Sequence, residues 1–578
     1  MKFQRKALAI AVMVATSTLS ACSSDDVKEI INDKITKIEL SSNSVDENSK
    51  GAEVGSISTD ILDSIKSFTY STDNENFVIS GNTLSLAAEY SFDYEKEQTV
   101  DVNITATDSS GTAVTKALTI EVNDLLDYYG FMSKVGDTTQ SSVSYGGQVT
   151  RHALIAELKH YIGKGGLQAD IDGNNFADKD SVIAKLNSFY NRGGDIEADR
   201  DSSWDGFAIT FAGENAKQTL FSELGSYKSL KDKVAGNDAS GQHKEWNNGA
   251  FAGWGIKGSI TPHGLIAHYF DQLADNAVAV IGGAVRVDPI TGGAIPVYVS
   301  ENGTDLNQLV QKFLLMSVTY SQATDDYLDE NKGLATDNID KDKGTKDYTK
   351  LEHQFDEGFG YFGATRDYLA YNDNEIAGKV KVAEDGRSDW NGQHDTDGDG
   401  KIDLMSEKNF GNSVNAAKRD RGTAANAKPT DYTKQAMEAF LNGRKLINDK
   451  AGFALTEAEM TELLGYRDAA VKAWENAVAG TVIHYINDLD ADLAKLDSAD
   501  FSFTDTAKHF SELKGFALGL QFNPYSPITD AQFEQMHTLL KDAPVLTGDV
   551  TAYRADLIKA RDILQAALSF DADNVAGW

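Results

Sequence analysis

The chain has 578 residues, room for two to four domains at about 150 residues each, and 41% are apolar, so sizeable cores can form. Its 88 acidic residues outnumber 54 basic ones, giving a net charge of −34. That balance excludes nucleic-acid recognition, which needs concentrated lysine and arginine against phosphate, and leaves solubility or the binding of cations by clustered carboxylates.

The chain opens on a targeting segment. Lys2, Arg5 and Lys6 precede the apolar run Ala7 to Ala15, and Leu19-Ser20-Ala21-Cys22 follows with small residues at a cleavage point. This resembles a bacterial lipoprotein signal, in which 1–21 is removed and Cys22 becomes the lipidated first residue. Ser23, rather than Asp, after the cysteine implies the outer membrane. With one cysteine in the chain, no intramolecular disulfide can form. No later stretch has the roughly 18 uninterrupted apolar residues that a membrane span needs. The membrane is therefore an expected partner through lipid alone, on the periplasmic or the surface face, with another envelope protein as a second partner.

Residues 22–36 are polar and charged and read as a tether. From 37 to 124 the pattern has period two, in Lys37-Ile38-Glu39-Leu40, Phe77-Val78-Ile79, Thr83 to Leu86, Val100 to Ile104 and Leu118 to Val122. Short runs of this kind between Asn, Gly, Ser and Asp predict an antiparallel β-sandwich. Beyond 125 the period changes to that of helices, predicted over 151–163, 216–234, 262–280, 304–329, 350–370, 430–448, 456–488, 506–520, 530–541 and 549–569. Leu306, Leu309, Val310, Phe313, Leu314 and Val318 form one apolar stripe, which reads as core. A hairpin insertion is predicted at 283–300, around Thr291-Gly292-Gly293. The fold expected is multidomain: the sandwich, then an all-α domain of two lobes, since one compact core rarely grows so large.

Two acidic constellations follow from this layout. In the β region, Asp46-Glu47, Asp93-Tyr94-Glu95, Asp108 and Glu121-Val122-Asn123-Asp124 resemble, in order and spacing, a single cadherin-like domain. That resemblance implies calcium held at the domain end by Glu47, Asp93, Glu95, Asn123 and Asp124, although Glu121 stands where the closing motif usually has Asp. The second constellation is read from spacing. Asp395, Asp397, Asp399 and Asp403 occupy positions 1, 3, 5 and 9 of a cation loop, with Gly400 at 6 and Ile402 at 8. Lys401, at position 7, would offer its backbone carbonyl. Position 12 is Ser406, and Glu407 comes one place late, so a structural calcium loop near 395–407 is expected rather than a sensor. Asp170, Asp172 and Asn174 make a weaker echo that reads as an ordinary loop.

Two of the ten histidines sit on predicted helices with a carboxylate three residues on: His353 with Asp356 and Glu357, and His509 with Glu512. Such spacing places both groups on one helix face, where they can share a metal or a hydrogen bond. The segments Leu351-Glu352-His353 through Gly363, Asn415 to Asp420, Ile483 to Asn487 and Lys514 to Pro524 resemble an uncharacterised family of bacterial lipoproteins, similar to the imelysin-like iron-regulated periplasmic proteins. This resemblance spans roughly 130–578. It implies two helical-bundle lobes, a Gly-x-His-x-x-Glu metal motif and a place in iron uptake. Here His353 has Leu351 and Asp356 at the flanking positions, and His509 has Ala507 and Glu512. There is no His-Glu-x-x-His helix, Gly-x-Ser-x-Gly elbow or phosphate loop, so no catalytic residue is assigned. The reading is a lipid-anchored, non-enzymatic envelope protein that binds calcium structurally and iron or zinc at the histidines. A calcium-dependent adhesion or scaffold module is the alternative, and a metallopeptidase the third.

Overall fold

The computed structural model describes residues 35–61, 67–94, 96–192, 202–236 and 249–578. Cys22, most of the tether and Glu95 lie outside the described residues. Contacts divide the chain into two units, which part between Leu125 and Leu126.

The first unit is a β-sandwich of β1 (Ile38–Leu40), β2 (Ser44–Asp46), β3 (Glu53–Thr59), β4 (Phe68–Thr72), β5 (Phe77–Ser80), β6 (Thr83–Leu86), β7 (Thr99–Asp108) and β8 (Ala113–Asn123). One sheet has the order β1-β3-β6-β5 and the other β2-β8-β7-β4. All pairs are antiparallel except β2 with β8, which run parallel. Alternation in sequence sets the faces: Val102, Ile104 and Ala106 of β7 point inward between exposed or half-buried neighbours. They meet Ile57, Phe77, Leu84 and Leu86 of the other sheet in one apolar core.

The second unit is helical. Its main helices are α1 (Gly146–Gly163), α2 (Gly166–Asp172), α3 (Lys179–Tyr190), α4 (Pro262–Ile281), α5 (Leu306–Leu314), α6 (Lys350–Phe362), α7 (Gly411–Thr423), α8 (Tyr432–Asp449), α9 (Glu457–Leu493), α10 (Phe503–Ala517), α11 (Asp530–Leu540), α12 (Val550–Leu568) and α13 (Ala572–Gly577). Capping boxes start four of them, Asp178 with Ser181 for α3, Thr349 with Glu352 for α6, Thr456 with Glu459 for α9 and Thr529 with Gln532 for α11. α9 has 37 residues and would span about 55 Å. Its middle, from Ala473 to Ile483, is buried on all sides. The stripe on α5 is buried as expected, and that helix continues through wider π turns at Leu315–Tyr320 and Ala323–Tyr327. One apolar cluster runs from Tyr129 to Trp578, so the two halves of the unit share a continuous core. Among the described residues no helix is long and apolar enough to cross a membrane.

Some predicted elements differ. Residues 216–234 hold only a four-residue helix, Phe221–Leu224, and a short 3-10 turn. Ala216 instead pairs with Ile402, and Leu220 with Ala208, so tertiary partners take the backbone groups a helix would use. The 283–300 hairpin is reduced to one bridge, Val287 with Ala294, closed by the Asp288 carboxylate. α7, which the apolar pattern does not reveal, buries Asn412, Ser413, Asn415, Arg419 and Asp420.

Candidate calcium loop, histidine sites and a central cavity

In the 395–407 loop, carboxylate oxygens of Asp395, Asp397 and Asp399 lie within 4.8 Å of one another, the one such grouping of three among the described residues. The loop coils because successive amides turn inward. Asp399 N donates to Asp395 Oδ1 and Asp397 Oδ1, Gly400 N to Asp395 Oδ2, and Lys401 N to Asp399 Oδ1. Gly400 has φ +83°, the left-handed turn that this position needs. Ile402 anchors the exit by bridging to Ala216. The Asp403 carboxylate accepts from Gln218 Nε2 and Met405 N rather than turning wholly to its neighbours. Lys401 reaches out to Glu214 O. Glu407 is a buried brace: its oxygens accept from Thr396 N, Asp397 N and Asp403 N. Lys217 Nζ stands 2.7 Å from Asp399 and 3.6 Å from Asp397, and this ion pair holds the Asp399 carboxyl below its usual range. Asp170 and Asp172 instead bond Tyr161, Asn175 and Gln168 locally.

At one end of the sandwich, Glu47 is buried and ties three segments together. Its carboxylate accepts from Tyr94 N and Leu125 N, and its own N–H donates to Asn123 O. Asn123 Nδ2 donates to Asp46, and Asp93 pairs with Lys96 at 3.0 Å. The segments that carry Glu47, Asp93, Asn123 and Asp124 thus meet, but Glu47 is already spent on backbone donors.

The two histidine sites have no partner in common. His353 Nδ1 donates to Ser144 O at 2.9 Å, its ring stacks on Tyr348, and Nε2 faces Glu357 at 3.8 Å. Glu357 also accepts from Gln148 and Gln354. Asp356 turns away from His353 into the core. It accepts from Arg444 Nε at 2.7 Å, from Tyr129 Oη and from Ser144 N. Glu352 takes the other side of the same guanidinium at 2.8 Å, and all three charged side chains have no exposed surface.

His509 likewise does not pair with Glu512. Its Nδ1 donates to Asp492 at 2.7 Å and its Nε2 faces Asp488 at 3.9 Å, both carboxylates being on α9. His484, one turn before Asp488, reaches it at 3.3 Å. Glu512 is paired with Lys312 of α5 at 3.2 Å, which holds its carboxyl low against the burial that would raise it. His484, His509 and Glu512 line a cavity of about 640 Å³ between α7, α9, α10 and the residues around Trp578. Asp488 and the cations of α7 also line this cavity, and helical spacing around His509 does not suggest them.

Residues 129–378 match a family described as a domain of unknown function (DUF4856). That span runs from the start of the helical unit past α6 and His353. It ends before the Asp395 loop and before every residue that lines the cavity. No curated protein and no solved structure matches the chain.

Proposed function

We propose that the protein is a lipid-anchored envelope protein that works by binding, with one calcium ion fixing the 395–407 loop of its helical unit. The convergence of Asp395, Asp397 and Asp399 carries this reading. Three hard oxygen donors on alternate residues of a coiled loop suit calcium, and the ammonium paired with them, Lys217, is half-exposed. The ion would displace that flexible ammonium and clamp the loop to residues 215–218 through Ile402 and Asp403. A structural role fits better than a sensor role, because Glu407 braces backbone amides. Calcium at the end of the sandwich is the lesser part of the reading, given what already occupies Glu47.

Iron or zinc at the histidines would have to do without Asp356 and Glu512, which each neutralise a buried cation already. Cys22 and its signal support attachment to the outer membrane. The test is thermal melting of the purified chain with calcium or with a chelator. Calcium at about 100 times its dissociation constant is expected to add about 2.7 kcal/mol. Chelator should remove that gain, and Asp397→Ala or Asp399→Ala should make melting insensitive to both. Identical melting curves with calcium and with chelator would overturn the proposal.

A further inference from the structure

We propose that the cavity between α7, α9, α10 and Trp578 binds a small organic polyanion bearing phosphate or carboxylate groups. Its lining reverses the charge of the chain. Lys379, Lys418, Arg419, Arg421 and Lys508 face it, against only Asp488 and Glu512, in a protein whose acidic residues outnumber its basic ones by 88 to 54.

The two lining carboxylates offset those five cations only in part, Glu512 acting on Lys418 and Asp488 on Arg419. Glu512 is held by Lys312 at 3.2 Å, and Asp488 lies between His484 and His509 at 3.3 and 3.9 Å. Among the described residues, Lys418 and Arg419 have no carboxylate within ion-pair distance. Arg419 is only 5% exposed, and its buried Nε has no hydrogen-bond partner. A buried guanidinium donor without an acceptor is disfavoured, and an anion would supply the acceptor. Lys312 sits behind the cavity, and burial together with its charge lowers Lys418 to about 8. Repulsion by the same Lys312, and burial, lower neighbouring Lys159 to about 7. This crowding of positive charge is relieved when an anion enters.

The scaffold makes room for this arrangement. A Cβ on Gly480 would lie 3.3 Å from Arg419 Cγ and Cδ and from the Trp578 ring, so glycine lets α9 pass close under the arginine stem. The Trp578 indole donates to Arg419 O at 3.1 Å and fixes the end of α7. The size of the ligand follows from the space. About 640 Å³ exceeds a lone phosphate and falls in the range of small-molecule sites. The rings of Tyr485 and Trp578 in its wall suit an organic body between the charged groups. The exposed Lys379, Arg421 and Lys508 would guide the anion toward the half-buried Lys418 and the buried Arg419.

The test is calorimetric titration of the purified chain, at fixed calcium and ionic strength, with inorganic phosphate, succinate and 2-phosphoglycerate, and with chloride as the control. Saturable binding is expected, tightest for 2-phosphoglycerate. It should weaken at least tenfold in Lys418→Met and at least threefold in the rim variant Lys379→Met/Lys508→Met, and stay unchanged in Lys434→Met, whose side chain lies elsewhere on α8. Should Lys418→Met fail to fold, the exposed rim variant decides alone. No binding of any of the three anions, or binding unaffected by the rim variant, would overturn the proposal. The 395–407 loop shares no residue with this cavity, so loss of calcium binding in Asp397→Ala leaves the result untouched.

Discussion

Replacing Arg444 with alanine is expected to destabilise the helical unit by about 3–5 kcal/mol, the usual effect of removing one partner from a buried ion pair. Glu352 and Asp356 would then be two carboxylates without a cation in a site closed to solvent. The guanidinium is also a hub for the backbone. It donates to Ser142 O and Oγ, while Asn448 Nδ2 donates to Glu352 and Tyr129 Oη to Asp356. α6, α8 and the segment before α1 are therefore held by one group. Unfolding in denaturant, followed by far-ultraviolet circular dichroism, measures the loss. The triple variant Arg444→Met, Glu352→Gln, Asp356→Asn should recover most of it, since no uncompensated charge remains. If Arg444→Ala unfolds at the wild-type midpoint, the network carries no net stability.

Glu475 is expected to make the unit less stable as pH rises. Burial in the middle of α9 raises its carboxyl to about 7, and the side chains of Ser526 and of Asn523, whose Nδ2 lies 3.0 Å from Oε2, offset this only in part. Below the unfolded value of about 4.5 both states hold the proton, and the folded state loses nothing. Between about 4.5 and 7 the unfolded chain releases the proton while the folded chain keeps it, so stability falls by up to about 1.4 kcal/mol per pH unit. By pH 8 the loss reaches about 3 kcal/mol. Glu475→Gln keeps the shape and removes the titration. It should match wild type near pH 4.5 and exceed it by a few kcal/mol at pH 8. Equal pH dependence of the two denaturation midpoints between pH 5 and 8 would show that the carboxyl is not buried in this way.

What was legible in the sequence was local. The sandwich reads from alternation because strand faces repeat every two residues, and β7 buries every second side chain. The α5 stripe reads for the same reason at helical period. The 395–407 loop reads because all its carboxylates come from one short stretch whose own backbone gathers them. Helical spacing was a poorer guide at the histidines. It places Asp356 and Glu512 near the right turn of the right helix, but their direction depends on Arg444 and Lys312, which lie 88 residues and 200 residues away in the chain. α7 was not legible at all, since its buried faces carry asparagine, serine, arginine and aspartate, and the Asp420 carboxylate, for one, accepts from Tyr432 N and Thr433 N of α8.

By itself the sequence determined the two-part architecture and the spacing of Asp395, Asp397 and Asp399, because each is written in neighbouring residues. Only the tertiary structure decided which carboxylates remain available and where positive charge collects. The cavity draws Lys418 and Arg419 from α7, His484 and Asp488 from α9, and Lys508 and His509 from α10. A net charge of −34 describes the chain as a whole, and packing distant segments together can still line a cavity with the opposite sign.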